Sequence, residues 1–146
     1  MAQLAKLETQ VPLKVSSDKF YTFYRDNLSR FTQLFPENVK SVEVVGGGEI
    51  KSGSVIHESY SIDGSPVMWT KFKVTFDDAT KSIGFDFLGG DLLQLYKTFK
   101  AKMRVGAGHV NWSIEFEKAN ENVPNPAPYI GIITKFSKGL DAHLCK

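Results

Sequence analysis

The sequence has almost no cysteine and no long hydrophobic run, and these absences exclude several classes of protein. Cys145 is the one cysteine among 146 residues, so an intramolecular disulfide cannot form and a secreted disulfide scaffold is excluded. No apolar run reaches the roughly 20 residues of a membrane-spanning helix. Residues 1–6 also lack the apolar segment of a signal peptide. We therefore expect a cytoplasmic protein that has no membrane partner.

The chain also lacks an excess of one charge and any metal-binding or phosphate-binding motif. Its 18 Lys and Arg against 16 Asp and Glu leave a net charge of +2, too little for a partner that carries many phosphates, so we expect no nucleic acid. His57, His109 and His143 show no ligand spacing, which predicts no metal site. The glycines at 46–48 lack the Gly-Lys-Ser/Thr ending of a phosphate-binding loop. We expect no cofactor.

Aromatic residues are abundant instead. The sequence has 11 Phe, 5 Tyr and 2 Trp, and rings of that size either fill a thick core or line a cavity. The length suits a single domain over residues 1–146, which we expect to be a monomer or a weak dimer with a hydrophobic small molecule as its partner.

Hydrophobic periodicity predicts an α+β fold. A first strand is followed by two short helical stretches that end at Pro36, then by strands separated by turns such as Asp63–Gly64, and then by one helix that starts between residues 126 and 129 and ends near Leu144. Short turns favour an antiparallel meander. Alternation places the strands at residues 4–13, from residue 39, and at 55–62, 68–76, 83–88, 93–105 and 110–117.

One face of these strands is apolar, and one helix about 10 Å wide cannot fill the concave side of a strongly curved sheet. The pattern therefore predicts a pocket with a few polar groups set among rings. The inward-facing residues predicted to bind its ligand are Phe23, Phe35, Ile56, Met68, Thr70, Phe72, Phe85, Phe87, Phe99, Ala101, Met103, Trp112, Ile132, Ile133 and Phe136.

Two inward polar residues are candidates for catalysis. Glu58 lies among apolar neighbours on its strand, where lost hydration should raise its pKa and suit it to proton transfer near neutral pH. Tyr60 follows on the same face and could donate a hydrogen bond to a carbonyl or enolate. The alternatives are a structural ion pair of Glu58 with Lys97 or an arginine, and an ordinary core tyrosine.

A glycine in the last helix could also shape the pocket. Gly131 costs about 1 kcal/mol relative to alanine in a helix interior, so its presence needs a reason. The missing side chain widens the cavity or lets the helix flex, or else it allows tight packing against the sheet. The sequence leaves both possibilities open.

Local motifs add a family resemblance. The order of elements resembles the plant pathogenesis-related class 10 superfamily: a strand, two short helices containing LFPE at 34–37, a glycine-rich loop at 46–53, a meander and a long final helix. Four further segments are similar to its major latex protein branch: 60–64 (YSIDG), 90–93 (GDLL), 96–100 (YKTFK) and 120–124 (NENVP).

The resemblance implies a helix-grip fold, in which a curved seven-stranded antiparallel sheet wraps around the C-terminal helix and encloses a large cavity. It implies binding of apolar plant metabolites of the terpenoid, steroid, flavonoid or hormone class, in defence or specialised metabolism. The alternative it implies is a cofactor-independent cyclase, isomerase or condensing enzyme acting on a terpenoid or alkaloid intermediate, with Glu58 as acid or base. The family pattern would place a bulky apolar residue where this chain has Glu58.

Overall fold

The computed structural model describes residues 4–62 and 64–145, and this part of the chain forms one seven-stranded sheet and four α-helices. Residues 1–3, which belong to the N-terminal segment without a signal-peptide pattern, and Asp63 of the predicted turn lie outside the described residues. The strands are β1 (Ala5–Pro12), β2 (Val39–Val44), β3 (Val55–Tyr60), β4 (Met68–Asp77), β5 (Ser82–Gly90), β6 (Tyr96–Gly106) and β7 (His109–Lys118).

Two short helices connect the edge strands and one long helix ends the chain. Ser16 caps α1 by accepting a hydrogen bond from the Lys19 amide at 3.2 Å. No helix of the described residues is long and apolar enough to cross a membrane. The helices are α1 (Ser17–Asp26), a 3₁₀ turn (Leu28–Arg30), α2 (Phe31–Leu34), α3 (Leu92–Leu95) and α4 (Ala127–Leu144).

The sheet is an antiparallel meander closed by the first strand. Its order is β1-β7-β6-β5-β4-β3-β2, so each strand from β2 to β6 pairs with the next one in the chain, and β1 pairs with β7. α1 and α2 span the path between the two edge strands, and α4 packs on β1, β7 and α1. The predicted helix-grip architecture is confirmed.

Alternation along the strands is observed as predicted. In β4, Thr70, Phe72 and Val74 are buried, whereas Trp69 and Lys73 are exposed on the other face. The inward side chains form two hydrophobic clusters, a larger one beneath α1 and α2 and a smaller one around Phe99 and the start of α4. The candidate site lies in the larger cluster.

The predicted strand at 93–105 is wrong at its start. Its first residues belong to α3, because Leu and Gln are good helix formers and the four-residue segment LLQL follows a turn at Gly90. A register shift in the pairing with β7, between Tyr96 and Thr98, then breaks the alternation and leaves Lys97 exposed. Lys97 therefore does not face the inside of the sheet.

A buried carboxylate fixes the position of α4. Asp141 accepts hydrogen bonds from the backbone amides of Lys14 and Val15 at 3.0 Å, which ties the end of the helix to the turn before α1. Gly139 lies where α4 meets Phe35, and a Cβ atom there would come within 2.6 Å of that ring. Gly131 is exposed, and a Cβ atom added there would meet no atom within 4 Å, so it neither widens the cavity nor packs against the sheet.

Candidate ligand-binding site

A cavity of about 100 Å³ lies between the concave face of the sheet and the helices α1, α2 and α4. Six strands, three α-helices and the 3₁₀ turn contribute to its wall, so no single segment of the sequence contains the site. Its lining consists of Tyr24, Leu28, Phe31, Val42, Ile56, Glu58, Phe72, Phe85, Phe87, Ala101, Trp112, Ile133 and Phe136.

Packed aromatic rings make the cavity small. Tyr24 and Phe31 meet edge to face with centroids 4.8 Å apart, and Phe136 contacts Phe31 at 5.7 Å. On the sheet side Phe85 stacks on Trp112 at 5.9 Å. Sites for drug-sized ligands usually measure roughly 300 to 1,000 Å³, so this cavity holds about one ring and is smaller than the resemblance implies.

Glu58 is the one charged residue of the lining. It stands in the middle of β3, with Val42 of β2 and Thr70 of β4 as its Cα partners on the two neighbouring strands. No described residue forms an ion pair or hydrogen bond with its carboxyl group, so the alternative of a structural ion pair with Lys97 or an arginine is not realised there. Burial raises the pKa of Glu58 from its usual 4.5 to about 7.

Tyr24 is the second polar group of the cavity. Burial raises the pKa of its phenol, and the charge on Glu58 raises it further, which places the two groups within electrostatic reach. The Tyr24 hydroxyl has no hydrogen-bond partner among the described residues. Every fully enclosed polar side-chain atom there does have one, so both unpartnered groups must open onto the cavity.

The structure brings nine of the seventeen residues predicted from the sequence to the cavity wall. These nine share inward positions near the middle of their strands or on the sheet-facing side of α4. Their role in binding stays a prediction. They are Ile56, Glu58, Phe72, Phe85, Phe87, Ala101, Trp112, Ile133 and Phe136.

Tyr60 lies outside the cavity lining. Its hydroxyl and that of Tyr129 are 2.6 Å apart, in a hydrogen bond that links the end of β3 to the start of α4. Burial and this hydrogen bond raise the pKa of Tyr60. Its position indicates a structural link between sheet and helix.

Seven predicted ligand-binding residues also lie outside the lining. Thr70 donates a hydrogen bond to the Gly89 carbonyl at 3.2 Å, and Phe23 packs against His143 of α4. Alternation and helical spacing identify the inner face but not which part of that face borders open space. The other five are Phe35, Met68, Phe99, Met103 and Ile132.

Four lining residues were not predicted: Tyr24, Leu28, Phe31 and Val42. The signal for Tyr24 was present, since it follows Phe23 in the apolar spacing of α1. Consecutive side chains on a helix point about 100° apart. The packing of α1 therefore decides that Tyr24, and not Phe23, lines the cavity. Leu28 and Phe31 lie in short helical turns that carry no usable period.

Comparison with known proteins identifies the family to which this fold and cavity belong. Residues 2–146 match the sequence profile of the Pathogenesis-related protein Bet v 1 family. The chain belongs to this family. Within the family its relatives are major latex proteins: Major latex protein 146 of Papaver somniferum is 32% identical over 148 residues, covering 97% of this chain and 92% of that protein. The resemblance to the major latex protein branch is confirmed.

Solved structures show the same fold. Ginseng major latex-like protein 151 from Panax ginseng superposes with a TM-score of 0.89 at 29% identity, covering 96% of this chain and 97% of that one. Norcoclaurine synthase from Thalictrum flavum superposes with a TM-score of 0.83 over 99% of this chain and 88% of that one. Its 16% identity shows a shared fold and nothing about activity.

Proposed function

We propose that this Bet v 1 family protein binds a hydrophobic small molecule in the cavity and orients it through Glu58 and Tyr24. The observation that supports this proposal is a lining of apolar and aromatic side chains interrupted by two polar groups that have no partner in the described part of the chain. Apolar walls supply binding free energy, and a few fixed polar groups determine orientation. The ligand class is the terpenoid, steroid, flavonoid or hormone class, and no cofactor is required.

Ligands of these classes differ in the volume that they need. A single ring fits the cavity of about 100 Å³, whereas a steroid requires the rings of the helical wall to move aside. Phe136 contacts Phe31 and Phe35 on that wall, so one rotamer change there is transmitted to its neighbours. Large ligands should therefore bind with a measurable rearrangement of α2 and α4.

Filling the cavity is expected to weaken binding. Ala101→Leu adds three carbon atoms to the wall, and we expect an uncharged environment-sensitive dye to bind roughly tenfold more weakly. Fluorescence titration measures the affinity, and circular dichroism checks that the variant is folded. The smaller change Ala101→Val should show an intermediate loss.

Gly131→Ala serves as the matched control, because it adds a methyl group to α4 at an exposed position with open space around it. The dye should bind this variant as it binds the parent. Equal dye affinity in folded Ala101→Leu and in the parent would show that the dye does not occupy this cavity.

The second candidate function is a cofactor-independent cyclase, isomerase or condensing enzyme. Its support is Glu58, because a carboxyl group with a pKa of about 7 in an apolar cavity can both accept and donate a proton at neutral pH. The Tyr24 hydroxyl could then polarise a carbonyl or stabilise an enolate. Further support is that norcoclaurine synthase from Thalictrum flavum has the same fold.

Mass spectrometry separates the two functions. The protein is incubated with plant extract, and both the compounds it retains and those it converts are identified. Retention without conversion supports the binder. If conversion occurs, Glu58→Gln should retain the compound and lose the conversion, whereas Glu58→Leu should also bind hydrogen-bonding ligands more weakly.

A further inference from the structure

Glu58 is in an unusual chemical setting for a carboxyl group. Its strand neighbours on the inner face are Ile56 and Tyr60, and the cavity around it is lined by aromatic and aliphatic side chains. No lysine, arginine or histidine lines the cavity in the part of the chain that is described. A carboxylate in this setting has lost part of its hydration and gained no counter-charge.

The groups that face Glu58 from the packed elements are uncharged. α1 contributes Tyr24, the 3₁₀ turn contributes Leu28, and α2 contributes Phe31. The neighbouring strands and α4 contribute further apolar side chains. Tyr24 is therefore the only other titratable group of the described lining, and its phenol remains neutral at physiological pH because burial raises its pKa.

A neutral apolar ligand does not compensate the charge of the Glu58 carboxylate. Such a ligand displaces water from the cavity, so the carboxyl group must then either stay protonated or carry an unpaired charge, and unpaired buried charge is strongly unfavourable. A ligand that brings its own positive charge compensates the carboxylate directly. An ammonium group also provides up to three N–H donors, and aromatic faces attract cations.

We propose that the cavity selects a small lipophilic primary amine, bound as its ammonium ion against the Glu58 carboxylate with its apolar body among the rings. The proposal rests on the proposed binding function and replaces the neutral ligand classes named there with a positively charged one. The Tyr24 hydroxyl lies within electrostatic reach of Glu58 and can accept a second N–H of the same ammonium group. The cavity volume of about 100 Å³ limits the apolar body of the amine to about one ring.

The experiment compares benzylamine, which is protonated at neutral pH, with benzyl alcohol, which has nearly the same shape and no charge. Affinities are measured by isothermal titration calorimetry at pH 5 and pH 8, and near pH 6 in two buffers with different ionisation enthalpies. Because Glu58 titrates near pH 7, ammonium binding at pH 5 must first expel its proton. Benzylamine should therefore bind about a hundredfold more tightly at pH 8 than at pH 5.

Near pH 6 the binding of benzylamine should release a proton, so its measured enthalpy should depend on the buffer. Benzyl alcohol should show neither effect. Glu58→Gln should remove both the pH dependence and the proton release for benzylamine while benzyl alcohol still binds. Glu43→Gln makes the same chemical change at an exposed position on β2. Its affinities at pH 5 and pH 8 and its binding enthalpies in the two buffers should equal those of the parent.

Equal affinities of the parent for benzylamine and benzyl alcohol at pH 8, or no proton release, would overturn the amine proposal. The proposed binding function would still stand if the uncharged dye binds and Ala101→Leu weakens it. Failure of the dye and of both benzyl compounds to bind would overturn the two proposals together.

Discussion

Glu58→Gln is expected to remove most of the pH dependence of stability between pH 4.5 and pH 8. The folded protein holds the Glu58 proton more tightly than the unfolded chain does, since burial raises its pKa from 4.5 to about 7. The stabilising contribution of this group is therefore complete below about pH 4.5 and is lost as the pH rises through 7. At pH 8 the ionised carboxyl group lowers the free energy of unfolding of the parent by about 3 kcal/mol relative to pH 4.5.

Chemical denaturation at a series of pH values measures this effect. The free energy of unfolding of Glu58→Gln minus that of the parent should grow by about 3 kcal/mol from pH 4.5 to pH 8, because glutamine stays neutral throughout. Glu43→Gln again serves as the exposed control and should show a flat difference. A flat difference for Glu58→Gln as well would mean that the carboxyl group is hydrated in the folded protein.

Trp112→Ala is expected to lower the free energy of unfolding by about 4 kcal/mol, as large-to-small core substitutions of this size do. Trp112 is 2% exposed, stacks on Phe85 and donates an indole hydrogen bond to the Ser137 hydroxyl of α4 at 2.8 Å. Its removal also enlarges the cavity that it lines. The variant should therefore bind apolar dyes larger than one ring more tightly than the parent does. The measured quantity is the affinity for such a dye divided by the affinity for a single-ring ligand.

Trp69→Ala provides the matched control, because the second tryptophan is 42% exposed and stacks on His57 on the outer face of the sheet. It should cost less than about 1 kcal/mol and leave dye binding unchanged. Unfolding is followed by circular dichroism and not by fluorescence, because each variant keeps a different tryptophan and the two fluorescence signals are not comparable. Similar losses in the two variants would contradict the assignment of Trp112 to the core and of Trp69 to the surface.

The strand pattern could be predicted because it depends on local rules. In β4 the alternation of Phe72 and Val74 with Lys73 follows from the two-residue period of a strand that has one wet face. The same period places Glu58 on the inner face of β3. That Glu58 has no ion pair with a described residue could not be predicted, because a basic side chain could have come from any of the strands and helices packed around it.

Other features depended on irregularities that a period does not describe. The register shift near Tyr96 reversed the expected direction of Lys97, and one step along α1 replaced Phe23 by Tyr24 in the lining. Gly131 was expected either to widen the cavity or to pack tightly, but that tight contact is made by Gly139 against Phe35. The outcomes for Tyr24 and Gly139 were set by how α1 and α4 rotate about their axes when they pack, whereas that for Lys97 was set by the strand pairing.

The sequence by itself determined the family, the order of strands and helices, the apolar inner face and the inward position of Glu58. These follow from short-range periodicity and from motifs that are contiguous in the chain. The tertiary structure alone decided the volume of the cavity, its lining from β2 to α4 and the pairing of Tyr60 with Tyr129. Such properties depend on distances between side chains that lie far apart in sequence, and packing fixes those distances only when the sheet and the helices have come together.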